Sequence, residues 1–298
     1  MSKLKLGIIG LSAGNGHPYS WAAIFNGYDK AHMKNCPFPG IPAYLAKQQF
    51  PQDTIKDAEV THIWTQDKKL STHIARSSRI EQVVDNFTDL IGKVDGILLA
   101  RDDAEKHFEL SAPFLKKGLP IYIDKPLAYT TKEARKILSL QRYPGQIFTC
   151  SALRYAKEFQ LSKKDLKSIG TIRHIDACVM KDWHTYGIHI IEPVMTLLKA
   201  QDRPMKIHGL SHNDRTMIQV IWKSGISTSF TSLGKTACPI SIRVFGDKSF
   251  KVLTFEDSFF AFREALRTFV TSIKNKKAPI SEDFIYNVIQ IIERGAKC

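Results

Sequence analysis

Two rhythms of hydrophobic and polar positions divide the chain. In the first half, short unbroken apolar runs alternate with segments whose apolar residues recur every three or four positions. The runs are Lys5-Leu6-Gly7-Ile8-Ile9-Gly10, Val60-Thr61-His62-Ile63-Trp64, Gly96-Ile97-Leu98-Leu99-Ala100 and Pro120-Ile121-Tyr122-Ile123. Each has the length and character of a strand buried on both faces, and the segments between them have the length of crossover helices. One helix starts near His17-Pro18 with Trp21, Ile24 and Phe25 inward, and another spans residues 70–79. A third turns Phe108, Leu110, Phe114 and Leu115 inward. Asp102 and Asp103 are placed to accept from its first N–H groups, and Lys116, Lys117 and Gly118 close it. Val83-Val84 and residues 87–91 read as a short strand and helix. Residues 131–141 form a helix with Thr130 or Thr131 as cap, and 146–150 a last strand. Strand, crossover helix and strand repeated in this way specify parallel βαβ units, whose sites lie beyond the carboxyl ends of the strands.

The second half alternates instead. From 169 to 180, Ile172, His174, Asp176 and Cys178 share one face and Ile175, Ala177 and Val179 the other. Runs at 205–212, 216–222, 228–233, 240–245 and 249–254 continue the pattern, and 259–273 and 283–294 are amphipathic helices. The expected fold class is α/β: an N-terminal Rossmann-type parallel sheet domain, 1–150, and a C-terminal α+β domain, 151–298, with a largely antiparallel open sheet. The final helices are candidates to pack back on the first domain. Residues 27–42, with three prolines, interrupt the first rhythm as an inserted loop, and 41–50 suggest a short helix. The insertion is either a surface excursion or a segment that reaches the site.

Composition narrows the classes. At 43% hydrophobic and 24% charged, the 298 residues are globular in kind. No apolar run approaches the roughly 20 residues of a membrane span, and the run near the start is too short for a signal peptide. Cys36, Cys150, Cys178, Cys238 and Cys298 are scattered without a CxxC, as expected of free thiols in a reducing, cytoplasmic setting. A net charge of +14 suits an anionic small molecule, such as a phosphorylated or nucleotide-linked one. The lysines are interspersed with acids and no aromatic-interleaved motif appears, so nucleic acid is not the expected ligand.

Three stretches carry candidate chemistry. After the first strand, Gly10, Ser12, Gly14 and Asn15 form a glycine turn leading into a helix. That arrangement places a dinucleotide pyrophosphate on backbone N–H groups, although Ser12 stands where the middle glycine is usual; the plain alternative is an ordinary βα turn. After the second strand, Asp67 is placed to hold a ribose, or Thr65 with Lys68 and Lys69 to favour a 2′-phosphate, so NAD and NADP both stay open. Lys125, just past the Pro120–Ile123 run, is a proton donor, a clamp for an anionic substrate, or a solvated lysine after a strand. His184 and His189 are five residues apart and do not share a helical face, so no metal is expected.

The spacing from His107 through Gly118 to Asp124-Lys125-Pro126 resembles the Gfo/Idh/MocA oxidoreductases, glucose–fructose oxidoreductase and inositol dehydrogenase among them. Their pattern runs from a Thr-Pro-Asn-x-x-His loop through a helix ending in Gly and a strand to Glu-Lys-Pro. Asp102-Asp103-Ala104 replaces the Thr-Pro-Asn loop, which in the family lies near the cofactor. Arg154 matches the family's Asn-x-Arg, with Ala152 in place of Asn. Gly187 and His189 match Asp-x-Gly-x-His, with Thr185 in place of Asp.

The resemblance implies an NAD(P)-dependent dehydrogenase or reductase acting on CH–OH groups of a sugar-like alcohol or ketone. In it His189 takes the hydroxyl proton and Lys125 supports the developing alkoxide. Asp102, His107 and Lys125 join the cofactor set. Lys125, Arg154, Thr185 and His189 face substrate, unless Arg154 holds the domain junction or His189 is a core histidine. Asp182 or His184 is placed to compensate for the lost acid. The second sheet would serve a homodimer or homotetramer. Two other readings fit the same scaffold: a glycosidase or eliminase that uses NAD transiently, and a non-enzymatic dinucleotide- and sugar-binding regulator.

Overall fold

The computed structural model describes residues 3–298. The chain divides into two compact units, each discontinuous in sequence: 1–127, 135–149 and 262–281 in the first, and 128–134, 150–261 and 282–298 in the second.

The first unit holds β1 (Leu4–Ile9), α1 (His17–Asn26), α2 (Lys30–Met33), α3 (Gly40–Leu45), β2 (Ala58–Trp64), α4 (Lys68–Ser77) and β3 (Gln82–Val83). It continues with β4 (Gly96–Leu99), α5 (His107–Lys116), β5 (Ile121–Ile123), the second half of α6 (Thr131–Leu138) and β6 (Ile147–Phe148). Its six strands are parallel in the order β3-β2-β1-β4-β5-β6. Burial on both faces explains the solid apolar runs, since every residue of β4 and β5 is buried. The order reverses between β1 and β4, so the loops after β1, β4 and β5 gather at one end of the sheet. Trp21 of α1 stacks on Tyr122 of β5 with centroids 4.6 Å apart. Tyr122 in turn meets Phe148 edge-on at 4.6 Å, so aromatic rings bind helix to sheet.

Two local readings change. Asp102 and Asp103 do not cap the helix after β4: a short turn, Ala104–Lys106, intervenes, and α5 starts at His107 without a side-chain cap. Both carboxylates are already engaged by other groups, described below. The insertion is no plain surface excursion either. It carries α2, capped by Asp29, and seats Phe38 and Ile41 on Gly16. A Cβ at Gly16 would lie 2.6 Å from Phe38 Cδ2 and 2.5 Å from Ile41 Cδ1, so only glycine admits this contact.

The second unit holds α7 (Lys163–Ile169), β7 (Ile172–Val179), α8 (Trp183–Tyr186), α9 (Ile188–Leu197), β8 (Pro204–His212), β9 (Arg215–Trp222) and β10 (Ser227–Ser232). β11 (Ser241–Gly246), β12 (Phe250–Thr254), the start of α10 (Ser258–Asn275) and α11 (Glu282–Ala296) complete it. The rest of α10, from Phe262, belongs to the first unit. The sheet order is β12-β11-β7-β10-β9-β8. Neighbours are antiparallel except β7 and β10, which are parallel. The period-2 pattern sends Ile175, Ala177, Ile218, Val220, Phe230, Ile242 and Val244 into the core. Met205, Leu210, Met217, Ile221, Phe250 and Val252 are large apolar residues left exposed. Among the described residues no helix is long and apolar enough to cross a membrane.

Candidate active site

In the first unit the chemistry gathers at the carboxyl ends of β1, β4 and β5. Gly14 takes φ +77° and has open space where a Cβ would point, so the backbone can be approached closely there. Asn15 is spent on the turn itself: its Oδ1 accepts from the His17 N–H at 2.8 Å and its Nδ2 donates to Asp124 Oδ2 at 2.8 Å. The same Asp124 oxygen lies 2.5 Å from His17 Nδ1, while Asp124 Oδ1 accepts the Lys125 N–H at 2.8 Å. Burial pushes the Asp124 carboxyl up. The His17 charge and hydrogen bond, the Lys125 ammonium and the Asn15 amide outweigh it and leave the pKa at about 2. Asp124 therefore stays ionised and ties the glycine turn to the root of Lys125.

The tip of Lys125 is held from another strand. Its Nζ is 3.3 Å from Asp102 Oδ2, with the lysine side chain only 6% exposed. Ser12 Oγ donates to Asp102 Oδ1 at 2.5 Å and accepts the Asp102 N–H at 3.1 Å. Asp103 instead forms a two-pronged pair with Arg101, through Nε at 2.9 Å and Nη2 at 2.5 Å. Arg101 Nη1 also donates to Gln66 Oε1 at 3.0 Å, and Gln66 accepts from Leu11 N–H and donates to Leu11 O, bracing the glycine turn from β2. His107 is fully buried. Its ring nitrogens lie 3.0 Å from Leu127 O and 2.8 Å from Arg101 O, so it ties the loop after β4 to the Lys-Pro loop.

The two candidates beyond β2 differ sharply. Thr65 is buried, with its hydroxyl bonded to Asp67 O and Ser71 Oγ. Asp67 is exposed and caps α4, accepting the Lys69 N–H at 2.8 Å on Oδ1. Lys68 is paired with Asp85 at 2.7 Å. An open glycine with a braced turn and an exposed acid after β2 fits a dinucleotide.

In the second unit, His189 Nδ1 lies 2.8 Å from Ser151 Oγ. Ser151 is fully buried, and its N–H donates to Glu192 Oε1 at 3.0 Å. Glu192 Oε2 pairs with Arg154 Nη1 at 3.3 Å, and the guanidinium lies 4.5 Å from the Phe284 ring centre. Burial pushes the Glu192 carboxyl up to about 7, against the pull of Arg154 and the Ser151 N–H. The Tyr186 ring stands edge-on to His189 at 5.2 Å, and Lys181 Nζ reaches the Tyr186 hydroxyl. Thr185 does not take the place of the family's acid: its hydroxyl and N–H both donate to Asp182, which caps α8. The Nδ1 partner of His189 is thus Ser151, rather than Asp182 or His184.

Sequence reading missed Ser151, Glu192, Gln66, Arg101 and His17. Glu192 left a trace, because it lies three residues past His189 and so shares its helical face. Ser151, Gln66 and His17 act across long sequence separations and leave none, as does Arg101 in its bond to Gln66.

The chain was compared with known proteins. Residues 4–151 match the model of an oxidoreductase family with an NAD-binding Rossmann fold, Gfo/Idh/MocA. No curated protein matches the chain in sequence. Among solved structures, a Lactobacillus casei myo-inositol dehydrogenase in complex with NAD(H) and myo-inositol superposes with a TM-score of 0.74 at 15% identity, covering 99% of this chain and 94% of that one. GenD2 from gentamicin A biosynthesis, in complex with NAD, gives 0.75 at 13%, covering 100% and 94%. A Synechocystis biliverdin reductase in complex with biliverdin and NADP+ gives 0.68 at 12%, covering 99% of each chain. At these identities the structures establish the shared fold, and the family match establishes the class. The N-terminal region, residues 4–151, is that of the Gfo/Idh/MocA oxidoreductase family, with that family's NAD-binding Rossmann fold.

Proposed function

We propose that the protein moves a hydride between a nicotinamide dinucleotide and a sugar-like alcohol or ketone, with a phosphorylated or nucleotide-linked sugar favoured by the +14 charge. The observation that carries this reading is the direct bonding of Ser12, Asp102 and Lys125, which joins the ends of β1, β4 and β5 where such sheets bind their ligands. When bound, the nicotinamide supplies the hydride acceptor or donor. Lys125 keeps its ammonium fixed and lowers the cost of a developing alkoxide. His189, its ring orientation set by Ser151, takes or returns the hydroxyl proton. Arg154, locked to Glu192, positions Ser151 and the loop around it rather than meeting substrate. Asp67 favours NAD, because its exposed carboxylate repels a 2′-phosphate while offering an acceptor to ribose hydroxyls.

Fluorescence titration with NADH and NADPH on the wild type and on Gly14→Trp tests the cofactor half. Micromolar NADH binding, weaker NADPH binding and loss of both in the variant are expected; no binding of either dinucleotide by the wild type sinks the reading. A sugar and sugar-phosphate panel then tests the chemistry. Lys125→Ala and His189→Ala should each lower turnover by about a hundredfold or more, and full turnover in both would remove the assigned roles. The exposed apolar residues of the second sheet suit a second copy of the chain. Light scattering should show a dimer or tetramer that Leu210→Asp with Phe250→Asp dissociates.

A further inference from the structure

Two positions where this chain departs from the family pattern touch one another. Ser12 stands in the middle-glycine position and Asp102 in the Thr-Pro-Asn loop, 90 residues apart. Their bonds are reciprocal: the serine hydroxyl donates to Oδ1, and the Asp102 N–H donates back to the serine oxygen. That closed pair fixes the rotamer of the aspartate and leaves Oδ2 facing Lys125 Nζ at 3.3 Å. A glycine at 12 has no hydroxyl with which to hold a carboxylate. A carboxylate at 102 that nothing held would share its charge among several rotamers and with solvent. The serine and the aspartate each make sense only with the other present.

Lys125 needs such a partner. Its side chain is nearly enclosed, and a buried ammonium without an opposite charge is costly. Asp124 holds the backbone N–H of Lys125, so it fixes where the side chain starts but not where the ammonium ends. We propose that Ser12 and Asp102 form one positioning unit for the Lys125 ammonium, Asp102 supplying the charge and Ser12 aiming it. In this reading Ser12 is a residue that acts on Lys125 through Asp102, and the altered glycine turn is the counterpart of the altered loop after β4. The inference rests on Lys125 being the cation that serves the substrate.

The test reads the lysine directly and needs no substrate. The purified full-length protein is labelled with trace acetic anhydride at pH 8, and acetylation of Lys125 is quantified by peptide mass spectrometry against the exposed Lys116 and Lys163. Asp102→Asn should raise Lys125 labelling about tenfold, because the amine, no longer held against the carboxylate, is released to the reagent. Ser12→Ala should raise it about threefold, Ser12→Thr should match the wild type because it keeps the hydroxyl, and the double variant Ser12→Ala with Asp102→Asn should not exceed Asp102→Asn alone. Labelling within twofold of wild type in Asp102→Asn, or effects of the two single changes that multiply in the double variant, overturns the proposal. If Asp102→Asn does not fold, as the reference lysines and a thermal melt would reveal, the contrast between Ser12→Ala and Ser12→Thr decides: equal labelling overturns it. An NADH titration on the same samples separates the two readings. Binding with no change at Lys125 removes only the positioning unit, whereas no binding by the wild type removes the proposed activity and leaves the labelling result standing.

Discussion

Asp124 in the first unit and Glu192 in the second are both nearly inaccessible carboxyl groups beside a cation, yet their acidities move in opposite directions. Asp124 is served by the His17 ring, the Asn15 amide, the Lys125 N–H and the Lys125 charge, and its pKa falls to about 2. Glu192 has one guanidinium contact at 3.3 Å and one backbone N–H, and burial carries it up to about 7. The difference teaches that burial by itself does not set the charge of a carboxyl group; the number of donors reaching each oxygen does. The first unit therefore holds a permanent anion under its glycine turn. The second holds a group that changes charge near neutrality, two bonds away from His189.

The sharpest way to break this contrast is to remove the permanent anion. Asp124→Ala strands a half-buried histidine, a buried amide and a backbone N–H, and should cost about 3–5 kcal/mol. Thermal unfolding should show a large fall in midpoint, and a loss below about 1 kcal/mol would mean the cluster is not what stabilises the turn.

The next effect is a dependence on pH with opposite sign in the two places. Glu192 has a folded pKa raised above its unfolded value of 4.5, so the folded state keeps a proton the unfolded chain has lost. Stability should fall by on the order of 3 kcal/mol as pH rises from 4.5 to about 7 and level off above. Glu192→Gln should flatten that window in denaturant melts taken at each pH. Asp124, with its folded pKa depressed, contributes stability that is present above its unfolded value of 3.8 and lost as pH falls through about 2, an amount on the order of 2 kcal/mol.

Smaller effects sharpen the comparison. Ser151→Ala leaves His189 Nδ1 and the Leu153 N–H without their hydroxyl partner and should cost about 1–2 kcal/mol. Ser151→Thr should recover most of it in the same melts. Gly14→Ala forces a side chain into a left-handed backbone and should cost about 1 kcal/mol, with NADH affinity falling alongside.

Much of the fold could be read from one sequence because the relevant signals are local. The solid runs at 96–100 and 120–123 and the alternation at 172–179 mark buried and half-buried strands within a few residues of where they lie. Lys125 stood out for the same reason, following a strand, whereas His189 was marked by the resemblance of its helix start to Asp-x-Gly-x-His. What escaped was long-range. Asp102 and Asp103 have the composition of a helix cap, and only the folded chain shows Ser12, Lys125 and Arg101 claiming them first. Ser151 meets His189 from 38 residues away. The parallel pairing of β7 with β10 inside an otherwise antiparallel sheet is likewise fixed by contacts between distant segments, which no window of sequence contains.

The five places where the chain passes between the two units bear on how the protein can be dissected. A fragment ending near residue 150 would lack 262–281, and with it Phe269, whose ring lies 5.8 Å from both Tyr122 and Phe148. Such a fragment would expose the aromatic cluster that joins α1 to β5, and aggregation on expression is its expected fate. Grafting this cofactor domain onto another scaffold would require three coordinated insertions in place of one cut.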